Sequence, residues 1–410
     1  YRDHTKGYER DFVNRAVTFY TDELYLRRDG KLVRIDKPDD ANASAFRDLL
    51  LLQLRSDWTV GGKTHAAGSL LAADFDTYLE GKREFEVLFE PTERSTLSDF
   101  TPTLNHVILN VLDNVRNRLY VLTRVDGKWQ REPLPGMPEF GTVSVDAVDD
   151  EENDDYFLTL TDYVTPTSLL LGTVGKGAPE KLKQLPAFFD ADGLVVTQHE
   201  ATSKDGTRIP YFQVARRDLA LDGANPTLLY GYGGFEVAMV PGYSASVGSA
   251  WLEKGGVYVV ANLRGGGEFG PKWHQAALKA NRNKAYEDFA AVARDLIARK
   301  VTSPRHLGVQ GGSNGGLLAG NMLVQYPELL GAVVSQVPLL DMRRYHQLLA
   351  GASWMGEYGD PDVPAQWALL AHLLPLPYNL FIVSSIWSAP QRPLIVLGVS
   401  LFWLVLFVVV

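Results

Sequence analysis

The sequence predicts a β-rich amino-terminal half joined to an incomplete α/β domain with a mostly parallel sheet, and three observations predict it. Residues 1 to about 190 are short apolar runs punctuated by turn residues, with little helical periodicity. Beyond them strand patterns alternate with helical ones, which implies a largely parallel sheet covered on both faces. Within that second part Gly311-Gly312-Ser313-Asn314-Gly315 follows the alternating Leu307 and Val309 and precedes Leu317, Leu318, Met322 and Leu323 at helical spacing. Strand, G-x-S-x-G and helix in that order form the setting in which this motif makes a nucleophile elbow. The turn requires glycine two positions either side of Ser313 and pushes the serine hydroxyl clear of the sheet, at a helix N-terminus.

The amino-terminal elements follow from turn chemistry. Glu23–Arg27 and Lys31–Ile35 flank Arg28-Asp29-Gly30, a hairpin signal because Asp-Gly tolerates positive φ. Further strands are expected at Glu84–Phe89, His106–Leu112, Arg118–Arg124, Tyr156–Thr161 and Ser168–Val174. Such a meander suits either a sandwich or propeller blades, and no repeat signature separates the two. The run Asp146–Asp155 reads as a solvated acidic loop.

The character changes near Asp190. Leu194–His199 and Ile209–Ala215 read as a strand pair around Lys204-Asp205-Gly206, and Thr227–Gly234 and Gly256–Leu263 as buried strands. A helix is expected over Ala285–Lys300, with Phe289, Val292, Leu296 and Ile297 on one face. After the elbow, Gly331–Val337 supplies another strand, so the elbow lies at the carboxyl end of a central strand, where open α/β sheets place their sites.

From Leu373 the composition turns strongly apolar, with Arg392 the one charged residue and none at all from Leu394 to Val410. The stretch 376–410 reads either as a C-terminal membrane anchor of borderline length or as the product of a shifted reading frame. The second is favoured because the α/β pattern stops early.

Composition narrows the function. With 410 residues, 46% hydrophobic and 22% charged, the chain can bury more than one core. A net charge of -9 without a basic cluster argues against a nucleic-acid partner. There is no cysteine, hence neither disulfide nor thiolate chemistry. Histidines lack the i, i+4 pairing of a metalloprotease helix, so no metal is expected. Gly265-Gly266-Gly267 lacks the Lys-Ser/Thr of a P-loop, so no nucleotide or other cofactor is expected. The compartment stays open between cytoplasm and periplasm.

A serine nucleophile needs a base, usually a histidine oriented by a carboxylate, and donors for the developing oxyanion. In an α/β-hydrolase both partners follow the serine. After Ser313 the histidines are His346 and His372, and the acids are Glu328, Asp341, Glu357, Asp360 and Asp362. None is assignable to a triad, and Asp341 reads as a turn or cap.

Four ordered stretches carry a resemblance: Leu229-Tyr-Gly-Tyr-Gly-Gly-Phe235, Asn262-Leu-Arg-Gly-Gly-Gly-Glu-Phe-Gly270, Gly311-Gly-Ser-Asn-Gly-Gly316 and Gly351-Ala-Ser-Trp-Met-Gly-Glu-Tyr-Gly359. Together they resemble the prolyl oligopeptidase family of serine peptidases, clearly from about Leu194 to Trp367. The resemblance implies part of a β-propeller over 1–190, its later blades, followed by an α/β-hydrolase domain over 191–375. It implies hydrolysis of short proline-containing peptides after proline. Ser313 matches the nucleophile, while the Asn314 N–H and the Tyr232 hydroxyl match the oxyanion hole. Trp354, Tyr358 and Phe235 match the proline pocket, where a ring without an N–H is recognised by shape and stacking. Arg264 and Glu268 read as organisers of their loop.

The family's acidic segment and its late histidine loop have no counterpart in this sequence, so the chain is expected to be nearly inactive. Two alternatives remain: another acyl hydrolase or aminopeptidase-like relative on the same fold, or a non-catalytic, membrane-anchored binding module if the apolar tail is genuine.

Overall fold

A computed structural model of the chain describes residues 1–136 and 141–362. The apolar stretch 376–410 and His372 lie outside these residues.

Four consecutive four-stranded antiparallel sheets come first. The first opens with Arg2–Asp3 and closes with Lys31–Arg34, and the second runs from Asn42–Phe46 to Glu86–Phe89. The third spans Ser95–Pro102 to Lys128–Pro133, and the fourth Thr142–Ala147 to Glu180–Gln184. The predicted hairpin closes with Arg28 opposite Lys31, and Asp29 and Gly30 both take positive φ, 50° and 73°. Period-2 alternation gives each sheet an apolar face.

How those faces meet decides between sandwich and propeller. Phe12 and Leu24 of the first sheet pack against Leu50 and Leu52 of the second, whose Leu49 and Leu51 turn to Val107 and Leu109 of the third. Ile108 and Val121 then face Val145 and Leu158 of the fourth. A sheet buried on both faces by its predecessor and its successor is propeller-like stacking, not a closed pair. The acidic run is trimmed by this packing: strands reach Ala147 and restart at Asp155. Asp154 there accepts from Thr103 and Asn105 of the third sheet at 2.7 Å each.

A six-stranded mixed sheet follows, with Leu194–Thr202 at one edge and then Arg208–Arg216, Val257–Ala261, Thr227–Tyr230, Leu307–Gly312 and Ala332–Gln336. The expectation of a mostly parallel sheet holds for three of its five pairings. The other two are antiparallel: the short Lys204-Asp205-Gly206 turn can join Leu194–Thr202 to Arg208–Arg216 only as antiparallel neighbours, and Arg208–Arg216 in turn runs antiparallel to Val257–Ala261. Leu229 lies in register with Val259 on one side and Val309 on the other, and all three are buried. The helix Asn283–Ala298 covers this face with Phe289, Val292 and Leu296, as its periodicity predicts. Among the described residues no helix is long and apolar enough to cross a membrane.

Candidate active site

The strand Leu307–Gly312 ends one residue before the helix Asn314–Gln325, and Ser313 alone makes the turn. Its backbone sits at φ 56°, ψ -117°, a strained conformation for a residue with a side chain. Close approach of the chain to itself explains the flanking glycines. A Cβ on Gly311 would lie 2.0 Å from the Gly315 carbonyl oxygen, and one on Gly315 would lie 2.6 Å from that of Gly231. Ser313 is consequently exposed while Asn314 is fully buried.

Donors surround the serine. Gly316 and Leu317 give their N–H groups to the Ser313 carbonyl at 2.9 and 3.1 Å. The Asn314 N–H is thereby left as a first-turn donor without an intrahelical acceptor. The Tyr232 hydroxyl interacts with the Ser313 side chain. Burial, then the charge of Glu357, push the Tyr232 phenol upward, so at neutral pH it remains a proton donor.

The Asn314 side chain ties this corner together. Its amide donates to the Tyr232 carbonyl at 2.7 Å, and its oxygen accepts from the Tyr358 hydroxyl at 2.8 Å and from the Arg282 guanidinium. Phe235 meets Tyr358 edge to face at 5.7 Å between ring centres. Half-buried Trp354 joins them in one apolar cluster with Leu317 of the elbow helix. The six residues singled out from sequence (Ser313, Tyr232, Asn314, Trp354, Tyr358 and Phe235) therefore occupy one continuous corner of the molecule.

The four motif stretches, now brought together in space, agree with the comparisons. Residues 243–378 match the family model described as prolyl oligopeptidase family. The chain belongs to the prolyl oligopeptidase family. It is 45% identical over 382 residues to an uncharacterized peptidase of Sinorhizobium fredii, covering 91% of this chain and 52% of the relative. It is 38% identical over 226 residues to a prolyl endopeptidase of Elizabethkingia meningoseptica, covering 55% of this chain and 32% of that one. Among solved structures, a post-proline cleaving enzyme from Rickettsia typhi superimposes with a TM-score of 0.81 at 37% identity. That match covers 88% of this chain and 53% of the other. The chain thus spans about half the length of the Sinorhizobium and Rickettsia proteins.

In this prolyl oligopeptidase fold no described histidine is hydrogen-bonded to Ser313, and several are held by partners elsewhere. His346 Nε2 pairs with Asp362 at 2.9 Å, and His199 lies between Thr197 and Arg299. His274 bonds Glu357 and Arg55, while His306 faces the Ala224 carbonyl. Asp341 caps the turn at Arg344, accepting its N–H at 3.2 Å and its Nε at 2.6 Å. The scattered histidines of the sequence hide one local grouping, since folding gathers His346, Asp360 and Asp362 with ligand atoms within 4.8 Å. Both aspartates are exposed, and the His346–Asp362 hydrogen bond accounts for the grouping.

Arg264 holds buried Asp288 and half-exposed Asp205 at 2.6 and 2.5 Å, and Glu268 accepts the Met239 N–H at 2.9 Å, both inside the glycine-rich loop. Sequence reasoning missed Arg282 and the role of Glu357, which is fully buried behind Asn314. Glu357 stood in view as one acid among several. Its partners Tyr20 and Arg282 are 337 and 75 residues away, so no local pattern announces them.

Proposed function

We propose that the chain carries the nucleophile, oxyanion donors and proline pocket of a serine peptidase that cleaves short peptides after proline through an acyl-enzyme. The arrangement that supports this reading is Ser313 held exposed at positive φ between two neutral donors, with an aromatic cluster fastened to the same Asn314. In it the Ser313 oxygen attacks the carbonyl carbon of the proline residue, and the Asn314 N–H and Tyr232 hydroxyl receive the oxyanion. As the ester to Ser313 forms, the C–N bond to the following residue breaks, and that residue leaves as an amine that takes up a proton. Neutral donors fixed before the reaction stabilise charge that appears only in the transition state. The proline ring enters between Trp354 and Phe235, with Tyr358 as the inner wall. We place the division between the propeller part and the hydrolase part near residue 190.

The proton of Ser313 requires a base, and among the described residues no histidine is hydrogen-bonded to Ser313. The chain on its own is therefore expected to acylate slowly, since loss of a triad histidine costs about six orders of magnitude in turnover. Adding imidazole supplies the base from solution. With a fluorogenic acyl-prolyl ester, imidazole is expected to accelerate hydrolysis by the chain beyond the same chain carrying Ser313→Ala. The acceleration is expected to fall at least tenfold in Trp354→Ala for prolyl but not for alanyl esters. Equal rates with and without Ser313 would overturn the nucleophile, and equal loss on both esters would overturn the proline specificity in favour of a general acyl hydrolase.

A further inference from the structure

Glu357 has no exposed surface, yet its carboxylate is saturated by donors from both halves of the chain. Oε2 accepts from the Tyr20 hydroxyl at 2.5 Å and from His274 Nε2 at 2.7 Å, while Oε1 accepts from Arg282 at 2.8 Å and from the Phe235 N–H at 3.0 Å. Arg55 donates to His274 Nδ1 at 2.7 Å. A guanidinium can only donate, so Nδ1 is the acceptor and Nε2 carries the hydrogen given to Glu357. Tyr20 lies between the second and third strands of the first sheet, and Arg55 follows a strand of the second sheet. The guanidinium of Arg55 also covers the Tyr20 ring at 3.7 Å. On the other side, Arg282 spans from Glu357 to the Asn314 side chain.

We propose that Glu357 is a positioning residue that makes the geometry around Ser313 conditional on docking of the first two sheets. It touches no substrate and acts through Arg282 on Asn314, and through the backbone on Phe235. The proposal rests on the reading of Ser313, Asn314 and Phe235 as the reacting corner. When Tyr20 and Arg55 are seated, all acceptor positions of the carboxylate are filled and Arg282 is free to hold Asn314 with its second nitrogen. When they withdraw, the buried carboxylate loses the Tyr20 donor on Oε2, and His274, its other donor there, loses the Arg55 contact that fixes its tautomer. Leaving such a group short of partners is costly, so it and Arg282 shift toward each other or toward water. The Phe235 N–H then loses its fixed partner and the Asn314 oxygen one of its two, keeping only Tyr358, and pocket and oxyanion donor loosen together.

Hydrogen exchange read by mass spectrometry on the full chain tests this without requiring turnover, so its result is separable from the imidazole experiment. Tyr20→Phe removes one oxygen at a half-buried position and keeps the ring under Arg55. Exchange is expected to quicken about tenfold, the equivalent of one hydrogen bond to a charged group, in peptides covering 231–238 and 313–320. Glu357→Gln is expected to give the same pattern, and the double variant to exchange no faster than Glu357→Gln alone, because both changes break one relay. A merely local role for Tyr20 quickens exchange only in residues 17–22, and that result overturns the proposal. So does additivity of the two substitutions. If Glu357→Gln does not fold, Tyr20→Phe alone decides.

Discussion

The Tyr358 hydroxyl donates to Asn314 Oδ1 at 2.8 Å, so the inner wall of the aromatic pocket and the residue after the nucleophile are one hydrogen-bonded unit. Tyr358 is also wedged between Phe235 and Tyr345, at 5.7 and 5.5 Å between ring centres. Tyr358→Phe keeps both ring contacts and removes only the donor. Arg282 still serves Asn314 Oδ1, so no buried acceptor is stranded, and the loss of stability is expected to be about 1 kcal/mol. Tyr358→Ala removes the ring as well and is expected to cost about 3–5 kcal/mol. Urea denaturation followed by fluorescence checks both, and equal losses for the two variants would show that the hydrogen bond, not the ring, holds the wall.

Ser313 is held at φ 56°, ψ -117° by the strand before it and the helix after it. Such a conformation costs a side-chain-bearing residue about 1–3 kcal/mol, and glycine adopts it without that strain. Glycine returns some of the gain through its larger unfolded-state entropy, about 0.5–1 kcal/mol. Ser313→Gly is therefore expected to stabilise the fold by about 1 kcal/mol while abolishing the imidazole-accelerated ester hydrolysis. A thermal midpoint that falls instead would show that the serine side chain contributes to the fold and that the elbow is not strained.

The two glycines before Ser313 look alike in sequence and differ in space. A Cβ on Gly311 meets the Gly315 carbonyl oxygen at 2.0 Å, which is rigid helix backbone, whereas the nearest atom to a Cβ on Gly312 is Gln336 Cβ at 4.0 Å. Gly311→Ala is expected to leave little soluble folded protein, since overpacking against backbone has no side chain to yield. Gly312→Ala is expected to change stability by no more than about 0.5 kcal/mol. Expression and circular dichroism of the pair provide the check.

Much of this corner was legible in the sequence because it is local. Leu307 and Val309, then Ser313, then Leu318 and Met322, encode strand, turn and helix within a short segment, each by its own periodicity. The hairpin at Asp29-Gly30 was legible for the same reason. Glu357 was not, because a carboxylate reveals its burial only through partners. Those partners are Tyr20, between two strands of the first sheet, and Arg282, just before the helix Asn283–Ala298, whose periodicity marks only its apolar face. The antiparallel edge of the mixed sheet lay between these cases. Its short turn was visible, but the order of Val257–Ala261 against Arg208–Arg216 depends on a crossover that no local pattern specifies.

Glu268 gives the pH dependence a sign. Its side chain is fully buried, Oε1 accepts from Met239 N at 2.9 Å, and Oε2 has no hydrogen-bond partner among the described residues. Burial pushes the carboxyl up to about 7 from its ordinary 4.5, against the opposing pull of the Met239 N–H. Below about pH 4.5 folded and unfolded chains both carry the proton, and this contribution to stability is fully present. As the pH rises from there to about 7 the folded chain holds a proton that the unfolded chain has released, so stability falls, by about 3 kcal/mol at most. Above about 7 the contribution is constant. Glu268→Gln cannot ionise, so the variant is expected to gain on the parent steadily between pH 5 and 7 and to hold that advantage at pH 8. Urea midpoints for the pair at pH 5, 6, 7 and 8 measure the difference directly. Parallel curves would mean that Glu268 is ionised in the fold and that an unseen donor reaches Oε2.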